Sequence, residues 1–177
     1  MPIKTHKENK EIEKAISYLV LSINQSGKNP KPVILHSIRV GLNLYNLGCP
    51  RDIVVAALLH DILEDTDTSP DDIKKKFGEK IARLIQSCSF NDKIADKTER
   101  YKEATTRCLA AGKEALIIKA ADFINNIPYT LDKSVDDKMR EFLRDKAWFF
   151  IEKARPIIAN EKIFTELKRC FNETFNN

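Results

Sequence analysis

Three histidines occur in this 177-residue chain, at positions 6, 36 and 60, and two of them stand where chemistry is possible. His6 lies in a polar N-terminal segment and is assigned no task. His60 is followed at once by Asp61, and one helical turn later by Glu64 and Asp65. On a continuous helix, residues four apart share a face, which pairs His60 with Glu64 and Asp61 with Asp65. Three carboxylates and an imidazole would then close a helix whose preceding turns are entirely apolar. Buried carboxylates are costly unless paired, solvated or bound to a cation, and a helix C-terminus disfavours negative charge. A divalent metal ion resolves both problems. The competing reading is a helix emerging into solvent with its acids exposed, and the hexapeptide alone leaves the two level.

A second acid stands in an unexpected place. Asp122 ends the apolar run Ala115-Leu116-Ile117-Ile118-Lys119-Ala120-Ala121. Its bland reading is a lone buried acid satisfied by a neighbouring Lys or Arg. Asn126, one turn on, shares its face and is placed to donate hydrogen bonds into the same cavity. Two imidazoles, His36 and His60, with two carboxylates from three buried helices suit a borderline-hard divalent ion such as manganese or iron. An all-cysteine zinc site is excluded, and an all-oxygen calcium cage is disfavoured by the histidines.

The elements that must position these residues read as helices throughout. Thr5 and Glu8 have capping-box spacing, and Ile12, Ala15, Ile16, Leu19, Val20 and Ile23 form a 3.6-residue stripe that ends at Gly27 and Pro30. A second helix follows Pro32 and stops at Gly48, carrying His36. A third starts near Arg51, and its run Ile53 to Leu59 is apolar on all sides. A β-strand competes for that run; its two alanines, its length and its helical neighbours favour a central helix. Ser69-Pro70-Asp71-Asp72 caps a short helix ending at Gly78, and Ile81, Leu84, Ile85 and Cys88 mark another. The polar segment 90–98 reads as a surface loop and the best candidate for a flap. Helices follow over 99–110, 114–127 and 136–154, and a last amphipathic one carries Ile163, Phe164, Leu167 and Phe171. Trp148-Phe149-Phe150-Ile151 reads as core packing or a helix covering the back of the site rather than a base-stacking platform, and the Asp71-Asp72 to Lys74-Lys75-Lys76 run as a solvated helix surface. The expected architecture is all-α, a compact multi-helix bundle forming a single domain over 1–177.

Bulk composition agrees. The chain is 42% hydrophobic and 32% charged, which is neither a disordered nor a membrane composition, and its 5 glycines and 7 prolines favour helices over a turn-rich β fold. The net charge of +4 is small and its basic residues are interspersed with acids, unlike a nucleic-acid binder. Cys49, Cys88, Cys108 and Cys170 lack CxxC spacing and read as reduced core thiols. No signal-peptide apolar region follows Met1, and the run Ile53–Leu59 is too short to span a bilayer. A cytoplasmic protein with no membrane or nucleic-acid partner is expected.

His36, then His60-Asp61, then Asp122 resemble the H…HD…D ligand set of the HD phosphohydrolase superfamily in order and in placement on successive helices. Ala56 to Thr66 resembles the signature AALLHDxxEDT of RelA/SpoT-like alarmone hydrolases, and Lys119 to Asn126 resembles their KLADxxxN segment. Asp71-Asp72-Ile73, Phe77-Gly78 and Ile81 fit the family's continuation xxIxxxFGxxI. The resemblance covers residues 10 to 130. It implies one divalent metal ion, manganese before iron, held by His36, His60, Asp61 and Asp122. It assigns Glu64 and Asp65 to orienting and deprotonating the attacking water, and Asn126 to substrate contact or orientation of the site. In that family a 3′-pyrophosphate is cleaved from guanosine tetra- or pentaphosphate, and a small stand-alone hydrolase is implied.

Departures fall in the stretch before the first ligand, where the family carries HxGQxRKxGxPYIxHP. Gln25, Lys28, Pro32, Ile34 and His36 match, whereas Ser22 stands for the His, Gly27 for an arginine expected to pack on the base, and Val33 for the Tyr. A stacking arginine offers a planar contact that lysine does not reproduce. The leading expectation is therefore a nucleotide pyrophosphohydrolase with the alarmone as first substrate. Two alternatives stand beside it. One is an HD phosphohydrolase for another phosphorylated metabolite, a deoxynucleotide or a phosphorylated dinucleotide, with Lys28 and Lys31 as phosphate contacts or merely solvated loop lysines. The other is a non-catalytic nucleotide- or metal-binding sensor, against which Glu64 and Asp65 argue. Oligomeric state is not legible.

Overall fold

A computed structural model describes residues 5–27 and 32–176. Among the described residues the regular structure is entirely helical, as the apolar periodicity requires. The chain divides into two compact units, residues 1–89 and 90–177.

In the first unit, α1 (His6–Ser26) begins on a capping box: Thr5 Oγ1 accepts from the Glu8 backbone N–H at 3.2 Å, and Glu8 accepts from the Thr5 N–H at 2.8 Å. Its buried face is Ile12, Ala15, Leu19 and Ile23. Gly27 terminates it at φ 63°, the left-handed conformation that a side chain disfavours. α2 (Val33–Asn46) buries His36, Val40, Gly41 and Leu44. α3 (Arg51–Leu58) is buried without interruption from Ile53, so the continuous apolar run forms a central helix and not a strand. After a turn comes the single-turn α4 (Ile62–Asp65), then α5 (Pro70–Phe77) and α6 (Glu79–Cys88). Ser69 and Asp72 form a second capping box at the start of α5.

The second unit opens with an irregular segment, 90–96, that falls inside the expected loop. It continues through α7 (Lys97–Ala111), α8 (Lys113–Asn126), a 3-10 turn (Ile127–Leu131), α9 (Asp137–Ile158) and α10 (Lys162–Phe175). Every residue of α8 from Ala115 to Phe123 is buried, including Lys119 and Asp122. On α9, Ala147, Phe150, Ile151, Ala154 and Ile158 face inward. Trp148 departs from the core-packing expectation: it is 48% exposed, with its ring on Phe171 at 5.6 Å between centroids. Its position beside Ala147 turns it about a quarter of the way round the helix from the inward face.

None of the four cysteines forms a disulfide; Cys88 and Cys108 are buried, whereas Cys49 and Cys170 are only partly so. Among the described residues no helix is long and apolar enough to cross a membrane.

Candidate metal centre

Within the first unit three potential ligands converge. His36 Nε2 lies 3.2 Å from His60 Nε2, and Asp61 places its carboxylate oxygens 3.1 Å from the His60 nitrogen and 3.5 Å from the His36 nitrogen. His60 is 1% and His36 7% exposed, so neither imidazole faces bulk water. His60 Nδ1 lies 2.8 Å from the carbonyl of Ala57. A carbonyl can only accept, so Nδ1 carries the proton and the Nε2 lone pair is directed at the cluster. Nitrogen ligands at bonds of about 2.1 Å stand about 3 Å apart around one cation. The observed spacing and the mixed imidazole–carboxylate chemistry fit such an ion, so these residues suit the metal that the sequence implied.

How the chain builds this cluster differs from expectation in one respect. The third helix does not continue through the hexapeptide. Leu59 adopts φ −113°, ψ 10° and Asp61 φ −95°, ψ 0°, so a tight turn separates α3 from α4. Its backbone bonds are shorter-range than those of a helix: Leu59 N–H donates to Ala56 at 3.2 Å and Ile62 N–H to Leu59 at 3.1 Å. His60 therefore stands in the turn and not on a helix continuous with Glu64, whereas Asp61 and Asp65 keep their one-turn relation, with the Asp65 N–H donating to the Asp61 carbonyl at 3.0 Å. The physical reason is burial. Leu58, Leu59, His60 and Ile62 would spread around a continuous helix, whereas the turn leaves all four at 1% exposure or less. Glu64 and Asp65, both half-buried, stand in the first turn of α4 and not in the last turn of a long helix.

Two hydroxyls that the sequence reading assigned no task fix the far end of α4. Thr66 Oγ1 donates to the Ile62 carbonyl at 2.6 Å and accepts from the Thr68 N–H at 3.0 Å. Ser26 Oγ, at the end of α1, lies 3.3 Å from the Asp65 carbonyl. Thr66 closes the signature quoted above, so its importance was signalled; Ser26 carried no signal. Beside these groups lies a polar recess of about 320 Å³ lined by Ser22, Gln25, Thr66 and Thr68, among others. Val33 is fully buried and faces the core.

In the second unit, Asp122 is 6% exposed and both its oxygens are engaged from its own helix. Lys119 Nζ lies 2.8 Å from Oδ2, and Asn126 Nδ2 donates to Oδ1 at 2.5 Å. The bland reading of a buried acid met by a nearby lysine thus describes one of its partners, and the expected sharing of a face by Asp122 and Asn126 describes the other. Lys28 and Lys31 lie outside the described residues.

The model of the HD domain matches residues 15–146, well over half of the chain. This chain belongs to the HD-domain family. Its similarity to curated relatives runs in the same direction. It is 36% identical over 105 residues to guanosine-3′,5′-bis(diphosphate) 3′-pyrophosphohydrolase of Aquifex aeolicus, covering 58% of this chain and 15% of that protein. It is 36% identical over 108 residues to guanosine-3′,5′-bis(diphosphate) 3′-pyrophosphohydrolase MESH1 of Danio rerio, 59% of each chain. The chain therefore spans less than two thirds of the length of these relatives. Among solved structures it resembles a metazoan ortholog of SpoT described as hydrolyzing ppGpp, with a TM-score of 0.79 and 23% identity over 98% of both chains. At that identity the likeness shows the fold, which is the all-α HD architecture expected from the sequence.

Proposed function

We propose that this protein is a metal-dependent phosphohydrolase that cleaves a phosphate ester or anhydride of a nucleotide, with the 3′-pyrophosphate of guanosine tetra- or pentaphosphate as its first substrate. The observation that carries the reading is the convergence of His36 Nε2, His60 Nε2 and the Asp61 carboxylate within 3.5 Å of one another in a buried setting. We assign Asp122 as the fourth ligand; like His36 and His60 it is buried and offers one ligand atom. A single HD-type domain over 1–177, built from both units, is part of the same proposal and is supported by the family match running through residue 89.

A divalent cation held by these four residues, manganese before iron, supplies positive charge to the phosphoryl oxygens and acidity to a water molecule. The protein's own groups do the rest. The Nδ1–H bond to the Ala57 carbonyl fixes the ring orientation of His60 and leaves Nε2 as the atom turned toward the cation. Glu64 and Asp65 orient the attacking water and take its proton. Asn126 contacts the substrate or holds the site's orientation, and Lys28 and Lys31 meet its phosphates as point charges. The partner is a phosphorylated small molecule and not a nucleic acid or a membrane, and the setting is cytoplasmic, in keeping with cysteines that form no disulfide.

A second reading is favoured by two observations in the base-recognition stretch. Gly27 serves as a left-handed helix cap, and Val33, in place of a tyrosine, is buried. Neither can meet a base as the family's residues do, so another phosphorylated nucleotide or dinucleotide is the alternative substrate.

The test is turnover with manganese against guanosine tetraphosphate, common nucleotides and phosphorylated dinucleotides. Release of pyrophosphate from the tetraphosphate supports the first reading, and release from another substrate moves the assignment to the second. Silence across the panel with metal bound refutes hydrolysis of these substrates and favours a sensor. Asp61→Ala should abolish metal binding and turnover together; full metal stoichiometry in that variant would remove Asp61 from the ligand set.

A further inference from the structure

Lys119 is the only lysine or arginine among the buried residues described, at 4% exposure. A buried ammonium costs free energy that a single ion pair seldom recovers in full. Its contacts within the second unit are specific. Nζ lies 2.8 Å from Asp122 Oδ2 and 4.8 Å above the centroid of the Phe90 ring. The opposite oxygen, Oδ1, is held by Asn126 at 2.5 Å. Residues three before and four after Asp122 therefore grip both of its oxygens from one helix. A carboxylate held at both ends cannot turn about its terminal torsion, and its remaining lone pairs point in fixed directions.

We propose that Lys119 is a positioning residue that fixes the Asp122 carboxylate in the orientation needed for cation binding, with Phe90 holding the ammonium in place. The inference rests on the assignment of Asp122 as a metal ligand. Outer groups that orient ligands typically change metal affinity by about 10–100-fold when removed. The sign of the effect is diagnostic. An ammonium near a divalent cation repels it, so if charge alone mattered, removing the lysine would tighten metal binding. If Lys119 acts by orienting Asp122, removing it weakens binding instead.

The experiment uses the full chain, stripped of metal with a chelator and titrated with manganese while free Mn²⁺ is read by electron paramagnetic resonance. Lys119→Met is expected to bind about 10–100-fold more weakly than wild type. Lys119→Gln, whose amide can still donate to Oδ2, is expected to lie between the two. Equal or tighter binding in either folded variant overturns the proposal, and a change confined to thermal stability does the same. Should Lys119→Met fail to fold, Lys119→Gln decides by the same criterion. Wild-type manganese binding tests the metal site itself and wild-type turnover tests the reaction, so failure of either is distinguishable from failure of the role given to Lys119.

Discussion

Gly41 offers the sharpest test of how the first unit holds its histidines. It lies on α2, five residues after His36, and its backbone faces Leu58, two residues before His60. A Cβ built on Gly41 would sit 2.4 Å from both Cγ and Cδ2 of Leu58 and 3.4 Å from its backbone nitrogen. Carbon atoms prefer separations of about 3.5–4.0 Å, so the Gly41→Ala methyl demands relief of about 1 Å. Leu58 is 1% exposed and its branch point is itself in the clash, so it cannot swing into solvent. The helices must part instead. Overpacking of this kind costs about 1–3 kcal/mol, against about 1 kcal/mol gained by replacing glycine in a helix interior. The net expectation is a loss of up to about 2 kcal/mol, and melting should fall by about 2–4 °C for each kcal/mol in a chain of this size.

Metal binding should suffer more than stability. The two Nε2 atoms, 3.2 Å apart, are carried by the helix that must move and by the turn that follows its neighbour. Functional groups tolerate displacements of about 0.5 Å, and an error near 1 Å can cost about 100-fold in activity. Urea denaturation and a manganese titration on the same preparation separate the two effects. A Gly41→Ala protein that is more stable than wild type and binds manganese equally well would refute the argument that this close approach sets the histidine spacing.

Three further outcomes are expected. Glu64→Gln should retain manganese while turnover falls by about 100-fold or more, the range removed with a general base; unchanged rates in a stopped assay would end its proposed role. Ser69→Ala should weaken the start of α5 and also alter its response to acid. Hydrogen bonds from the Ser69 side chain and backbone hold the Asp72 carboxyl below its ordinary value of 3.8. The stability this confers is complete above that value and is lost as pH falls through the lowered one. The gap between wild type and variant, read by denaturation from pH 6 downward, should therefore narrow in acid, and a gap that widens would contradict the assignment. Burial, and then the neighbouring Glu173 carboxylate, push the Cys170 thiol above its ordinary range. Its alkylation at pH 8 should lag behind that of an unstructured thiol peptide, and equal rates would count against the partly buried setting.

What could be read in advance was local. The capping boxes at Thr5–Glu8 and Ser69–Asp72 involve residues three apart, and the glycine that ends α1 needs only its own backbone angle. Short-range hydrogen bonds and steric limits of this kind operate wherever the chain goes. The 3.6-residue spacing of apolar residues is equally local, which is why the helix inventory was legible. The pairing of Asp122 with Lys119 and Asn126 spans one turn on either side and was readable as a class of contact, though not as a geometry.

The metal centre's form was not local. The run Ile53 to Asp65 carries no glycine or proline to announce a break, and its pattern reads as one helix. The turn at Leu59–Asp61 exists because burying four side chains from two directions outweighs the backbone bonds lost there, a balance set by what surrounds the segment. Ser26 reaches Asp65 from 39 residues away, and Gly41 matters only because Leu58 packs against it. By itself the sequence determined the helices, the residue types at the site and their order along the chain. Only tertiary packing decided that His36 and His60 face each other through their Nε2 atoms with Asp61 beside them, because that approach depends on how closely two helices can pack.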